Sequence, residues 1–185
     1  MLPELLQKAS LFSLLHRIDM DLARRHRQGG CPYCGGPLHQ GNYTRKPRGG
    51  PDGIPEDYLV RFSLCCGREG CRCRSLPLST RFMGRRVYWG CVILVAMTLR
   101  QNRPDGVSAN KLSRLLGVTR KTLIRWASYF RDVFPSSVRW QRLRGRVSSS
   151  VRNSELPGAL VRFFLLNSES QEKGLIACLH FLATV

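Results

Sequence analysis

Hydrophobic positions recur every three or four residues at the start of the chain: Leu5, Leu6, Phe12, Leu15, Ile18 and Leu22. Glu4 lies early and Arg24, Arg25, His26 and Arg27 late, an order that suits a helix dipole, and Gly29-Gly30 ends the run. The pattern predicts one amphipathic helix from Pro3 to about Gln28. Its apolar face either packs on the rest of the chain or serves a partner protein or a second copy. From residue 58 the period changes to two: Tyr58, Val60, Phe62 and Leu64 alternate with Leu59, Arg61 and Ser63, which predicts a strand. Val87 to Leu99 has more apolar positions than one stripe needs and predicts a central helix buried on most sides, too short for the roughly 20 residues that span a bilayer. No membrane span is expected. Asn102 to Gly106 breaks that helix. Helices are also expected from about Leu156 to Leu166 and from about Ser170 onward, with Phe163, Phe164, Leu175, Ile176, Leu179 and Leu182 as core or contact surface.

Between these lies Ser108 to Tyr129, which resembles a helix-turn-helix of bacterial repressors and transposases. Ser108 can cap a first helix, Leu112 with Leu115 or Leu116 can bury its inner face, and Gly117 permits the turn. Val118, Leu123 and Trp126 would hold the second helix, leaving Thr119, Arg120, Lys121, Thr122 and Arg125 outward as a recognition surface.

Six of the eight cysteines fall into two knots, Cys31-Pro-Tyr-Cys34 and Cys65-Cys66-Gly-Arg-Glu-Gly-Cys71-Arg-Cys73. Two thiol pairs on tight turns joined by a loop suit a tetrahedral thiophilic metal. The glycines after Cys34 allow backbone amides to point at sulfur, and with the strand they give the plan of a zinc ribbon. The second knot offers four thiols for two places. Cys66 and Cys71 bracket two glycines and make the more natural turn; Cys65 and Cys73 are alternates. The expected ligands are Cys31, Cys34, Cys66 and Cys71, with Zn2+ as the ion. Cys91 and Cys178 lie in apolar surroundings and are expected as buried free thiols.

Thirty Lys plus Arg against twelve Asp plus Glu give a formal charge of +18 over 185 residues. A polyanion is the natural partner for such a surplus, duplex DNA foremost. Arg45, Lys46 and Arg48, flanked by glycines, could enter a minor groove as an extended arm or form a solvated loop. Arg68, Arg72, Arg74, Arg81, Arg85 and Arg86 are dense enough to suggest phosphate contact. The stretch Arg139 to Arg146 either follows a phosphate backbone or links the flanking parts. The N-terminus lacks a secretory pattern, so a reducing prokaryotic cytoplasm is expected, with association to the nucleoid when bound.

Catalysis is not expected. Nuclease or strand-transfer chemistry needs carboxylates holding paired metals about 4 Å apart. Asp19, Asp21, Asp52, Glu56, Asp57, Glu69, Asp105, Asp132, Glu155, Glu169 and Glu172 read as scattered over loops and helix surfaces, and there is no G-x-x-x-x-G-K loop.

The order of Cys-Pro-Tyr-Cys ribbon, Arg-rich bridge, buried helix and helix-turn-helix resembles the N-terminal DNA-binding half of insertion-sequence transposases, over about residues 31 to 134. The resemblance implies sequence-specific binding at a mobile-element end or promoter. The acidic catalytic domain expected downstream in that family is not in this sequence, which leaves an accessory or regulatory protein of a mobile element, a truncated transposase or a free-standing regulator. The expected fold is α+β and mostly α, with a terminal helix over 1–30, a zinc ribbon over 31–83, the helix-turn-helix over 84–134, and a basic linker with helices over 135–185. Two other classes compete: an RNA-binding module using Tyr33, Tyr43 and Tyr58, and a protein-interaction adaptor using the terminal helices.

Overall fold

The computed structural model describes residues 2–83, 87–101 and 106–183. The N-terminal periodicity forms two helices, α1 (Leu2–Leu5) and the long α2 (Ala9–Gln28). Leu5, Leu6, Leu11, Phe12 and Leu15 are buried, while Arg17, Arg24, Arg25 and Arg27 remain in solvent. Then comes the β module: β1 (Leu38–Gln40), β2 (Tyr43–Thr44), the helical turn α3 (Glu56–Leu59), β3 (Val60–Arg61), β4 (Leu64–Cys66) and β5 (Arg74–Ser75). β4 is the central strand of an antiparallel sheet ordered β1-β4-β5, with Leu38 opposite Cys66 and Leu64 opposite Ser75; β2 and β3 pair separately.

The alternation at 58–64 does not make one strand. Glu56 and Asp57 follow Pro55 and place negative charge in a first helical turn, so Tyr58 and Leu59 are taken into α3. The strand that remains breaks before β4, where the Ser63 amide donates to Asn42 Oδ1 at 3.0 Å.

The helical part comprises α4 (Gly90–Gln101), α5 (Ala109–Leu116), α6 (Arg120–Ser128), α7 (Val138–Leu143), α8 (Gly158–Leu166) and α9 (Gln171–Ala183). α4 is the axis. Residues 90–98 are all buried, as its unbroken apolar run requires, and each buried Val, Leu, Ile or Met contributes roughly 1.5–3 kcal/mol relative to exposure. α5, α6, α8 and α9 pack around it. α1 and α2 share that same core, with the Phe12 ring set edge-on to Trp89 at 5.0 Å. The fold is therefore α+β and mostly helical. Among the described residues, no helix is long and apolar enough to cross a membrane.

Arg139 to Arg146 is a helix rather than a linker. Ser137 caps α7 by accepting from the Trp140 amide at 3.2 Å, Trp140 and Leu143 are buried, and the Arg139 guanidinium donates to the Leu182 carbonyl. Beyond α6 the helix continues as a π-helical turn, Tyr129–Val133, that buries Phe130.

Two residues depart most from expectation. Asp19, expected on a surface, and Arg81, expected at phosphate, are both fully buried and paired at 2.9 Å. Arg81 Nη1 also donates to His16 Nδ1 (2.9 Å) and the Tyr58 carbonyl (2.6 Å), and Nη2 to the Val60 carbonyl (3.0 Å). Asp19 accepts from the Thr80 amide (2.6 Å), the Thr80 hydroxyl (2.7 Å) and the Ser79 hydroxyl. The pair binds α2 to the segment that leads from the β module into α4.

Removing one partner of a buried pair strands the other charge, so Asp19→Ala should cost about 3–5 kcal/mol in urea denaturation; a loss below about 1 kcal/mol, the range of an exposed pair, contradicts this role. Because Arg81 is a donor only, His16 Nδ1 must stay unprotonated. Burial, and then the Arg81 charge, hold the His16 pKa below its ordinary 6.5. The unfolded chain therefore takes the proton first, and stability should fall as pH drops through about 6.5 and level off below the lowered folded value. His16→Asn should flatten that part of the stability–pH curve.

Candidate metal centre and nucleic-acid interface

Cys31, Cys34, Cys66 and Cys71 meet at one point, with all four sulfurs within 4.8 Å of one another, and could hold a metal ion. Cys31 and Cys71 sulfurs are 3.8 Å apart and those of Cys34 and Cys66 3.5 Å. The first turn is closed by the Gly35 amide donating to the Cys31 carbonyl (2.8 Å) and the Cys31 amide to the Gly36 carbonyl (2.9 Å). At Gly36 a Cβ would stand 3.1 Å from Cys66 Sγ and 3.3 Å from Cys34 Sγ, so a side chain there would crowd two of the four thiols. In the second knot the Arg68 amide donates to Cys66 Sγ at 3.4 Å. The Arg68 guanidinium crosses back to the Cys34 carbonyl at 2.9 Å, which gives it a bracing contact in place of a free cation.

Strand alternation explains the choice among the surplus thiols. β4 turns Leu64 and Cys66 inward and Cys65 to the other face, where its sulfur lies against Gly41. Cys73 packs beside the cluster and lends its carbonyl to the Cys66 amide at 2.9 Å, but it is not among the four converging sulfurs. His39 is exposed and does not join them. The sulfurs compete for protons: at Cys66 the Arg68 amide lowers the pKa, but burial and the Cys34, Cys71 and Cys31 sulfurs outweigh it and push it up to about 12. At Cys71 the Cys73 amide, then the Cys34 sulfur, hold the value below the ordinary one. A bound cation replaces such shared protons and favours four thiolates. Cys91 and Cys178 are buried free thiols away from this cluster, and burial raises both.

α5 and α6 form the helix, turn and helix that the sequence pattern predicts. Ser108 Oγ accepts from the Lys111 amide at 3.3 Å, Gly117 takes the left-handed conformation with φ 60°, and Thr119 Oγ1 accepts from the Thr122 amide at 3.3 Å to cap α6. Leu112, Leu116, Val118, Leu123 and Trp126 are buried beneath them. Thr119, Arg120, Lys121 and Arg125 are exposed. Thr122 is not, being only 6% exposed. Its hydroxyl bonds to Thr119 Oγ1 at 3.0 Å and accepts from Arg125 Nη2 at 3.2 Å, so it holds the arginine instead of facing outward. Ile124, which the apolar-in, polar-out reading passed over, stands 50% exposed on the same helix.

The other basic residues divide. The Arg45 to Arg48 segment is anchored rather than a loose arm: the Arg45 amide donates to the Leu59 carbonyl (2.9 Å), its guanidinium lies over the Phe82 ring at 5.4 Å, and the Arg48 amide donates to the Val87 carbonyl (2.9 Å). Lys46 and the Arg48 side chain are exposed. Arg74 lies over Tyr43 at 6.0 Å. Arg85 and Arg86 lie outside the described residues.

Cobalt(II) titrated into reduced protein should develop thiolate charge-transfer absorption at one ion per chain. Serine at Cys31, Cys34, Cys66 or Cys71 should weaken binding by more than the about 10–100-fold of losing a supporting contact, whereas Cys65→Ser should leave it within about twofold; full affinity in Cys66→Ser would exclude this ligand set. No family model, curated protein or solved structure matches the chain, so its own residues are the guide to function.

Proposed function

We propose that this protein binds duplex DNA through α6, with a zinc ion in the four-cysteine cluster as a structural brace. The observation that carries the reading is the exposed basic face of α6, Arg120, Lys121 and Arg125, presented just after a capped tight turn. An α-helix fits the roughly 12 Å major groove, and the N-terminal residues of a second helix mounted this way reach base edges. The charge of +18 supplies the phosphate attraction.

Zinc follows from the donor set. Four thiolates at about 2.3 Å from a tetrahedral ion lie about 3.8 Å from one another, close to the 3.8 and 3.5 Å separations of the two measured pairs. Such a shell leaves no position for a substrate, which supports a non-catalytic role. The ribbon's own apolar core amounts to Leu38 and Leu64 beside the cysteines, too little to fold without a cross-link. The order of ribbon, buried helix and basic helix-turn-helix supports a DNA-binding role associated with transposition, in a reducing cytoplasm where thiolates stay available.

Arg120→Ala with Arg125→Ala should remove about 1–3 kcal/mol of base discrimination per lost contact while leaving salt-sensitive binding in place. Unchanged base preference in a footprint would defeat the assignment of α6, and preference for structured RNA over duplex DNA in competition would replace it with an RNA-binding role.

A further inference from the structure

α6 carries one residue that neither its packing nor its charge explains. Its inner face is filled by Leu123 and Trp126, 0% and 4% exposed, and Ile124 has no place there. At about 100° per residue the outward side chains run, around the helix, Arg120 at 0°, Ile124 near 40°, Lys121 near 100° and Arg125 near 140°. The isoleucine thus stands between cations, half in water. Isolated exposed apolar residues are ordinary on protein surfaces. Here the residue is disfavoured twice, since β-branched Ile is also a poorer helix former than the Lys, Arg or Gln that the site would accept.

Resting on the reading of α6 as the helix that enters a major groove, we infer that Ile124 is a specificity-determining residue that packs on the C5-methyl group of a thymine. That methyl is the apolar feature of the major-groove floor; the other base-edge groups there are hydrogen-bond donors and acceptors. The flanking geometry fits. Arg120 and Arg125 leave the helix about 7.5 Å apart along its axis with Ile124 between them, so the three side chains share one short stretch of groove. Arg125 is drawn back along the helix by its 3.2 Å bond to Thr122 Oγ1, which is itself bonded to Thr119 at 3.0 Å, so its guanidinium is held against the surface of α6. An arginine held in this way loses less side-chain entropy on meeting guanine O6 and N7. The expected core of the target is therefore a thymine close to a guanine.

The test selects a preferred duplex from a random library with the full-length protein and then replaces each thymine, one at a time, by uracil, which removes only the methyl group. One position should weaken wild-type binding about fourfold, the value of one buried methyl-sized group. Ile124→Ala should bind the thymine duplex at the level of wild type on uracil and show no difference between the two bases. Because Ile124 is not in the core, circular dichroism and melting of the variant should match wild type. If no thymine position is sensitive, or Ile124→Ala keeps the same thymine-to-uracil ratio, the methyl contact is overturned while guanine reading by the arginines can stand. If the substitution instead changes the sedimentation of the free protein, the side chain belongs to an interface between copies and the inference falls. A library that yields no preferred sequence removes both this inference and the base-reading role of α6.

Discussion

The ion pair of Asp19 and Arg81 is the constraint on which the arrangement of this chain depends. Its members are far apart in sequence, on α2 and on the segment leading from the β module into α4, and both are completely shielded from water. Such a pair survives only if nearly every polar atom is satisfied, because desolvating two charges costs more than a single contact returns. The Ser79, Thr80, His16, Tyr58 and Val60 contacts supply that satisfaction. Next to Arg81, Phe82 stacks on Trp89 at 5.4 Å, immediately before α4 begins. One polar knot therefore fixes where the ribbon ends, where the buried helix starts and how the N-terminal helix lies across both.

A second knot, of sulfur, does for the ribbon what apolar burial does for the helices. The ribbon is tied to α2 by polar contacts, the Arg27 guanidinium donating to the Leu38 carbonyl at 3.1 Å and His26 bonding to the Ser75 hydroxyl at 3.0 Å. α2 thus acts as a strut between a module with almost no core of its own and a helical part with an ample one. With structure held by burial, thiols and one internal ion pair, much of the remaining positive charge stays in solvent. Arg120, Lys121 and Arg125 on α6 belong to that exposed set.

Features legible in the sequence are those set by local chemistry. The Cys31 and Cys34 turn, the Cys66 and Cys71 turn around two glycines, the Ser108 cap and the Gly117 turn each declare themselves within a few residues. The run in α4 declares burial by having no polar face. What stayed hidden depends on distant partners: nothing near Asp19 signals that Arg81 will reach it. Thr122 lies at a position that a helical wheel leaves near the boundary, and its burial follows from the capping bond to Thr119 and the bond from Arg125. The strand expected over 58–64 failed because alternation there competed with a local helix start at Glu56 and Asp57. α7 carries a local signal, Ser137 as a cap with Trp140 and Leu143 three apart, but four arginines between 139 and 146 mask its apolar face. Whether Arg45 to Arg48 was free or anchored turned on Phe82 and Val87, residues outside the segment.

The central claim is that α6 occupies a major groove. Methylation interference tests it most directly, because dimethyl sulfate modifies guanine N7 on the major-groove floor and adenine N3 in the minor groove. The account predicts that guanine N7 methylation at one or two positions of a bound duplex blocks complex formation, while adenine N3 methylation at the same turn does not. Interference confined to adenine N3, or none at any guanine in a bound duplex, would contradict it.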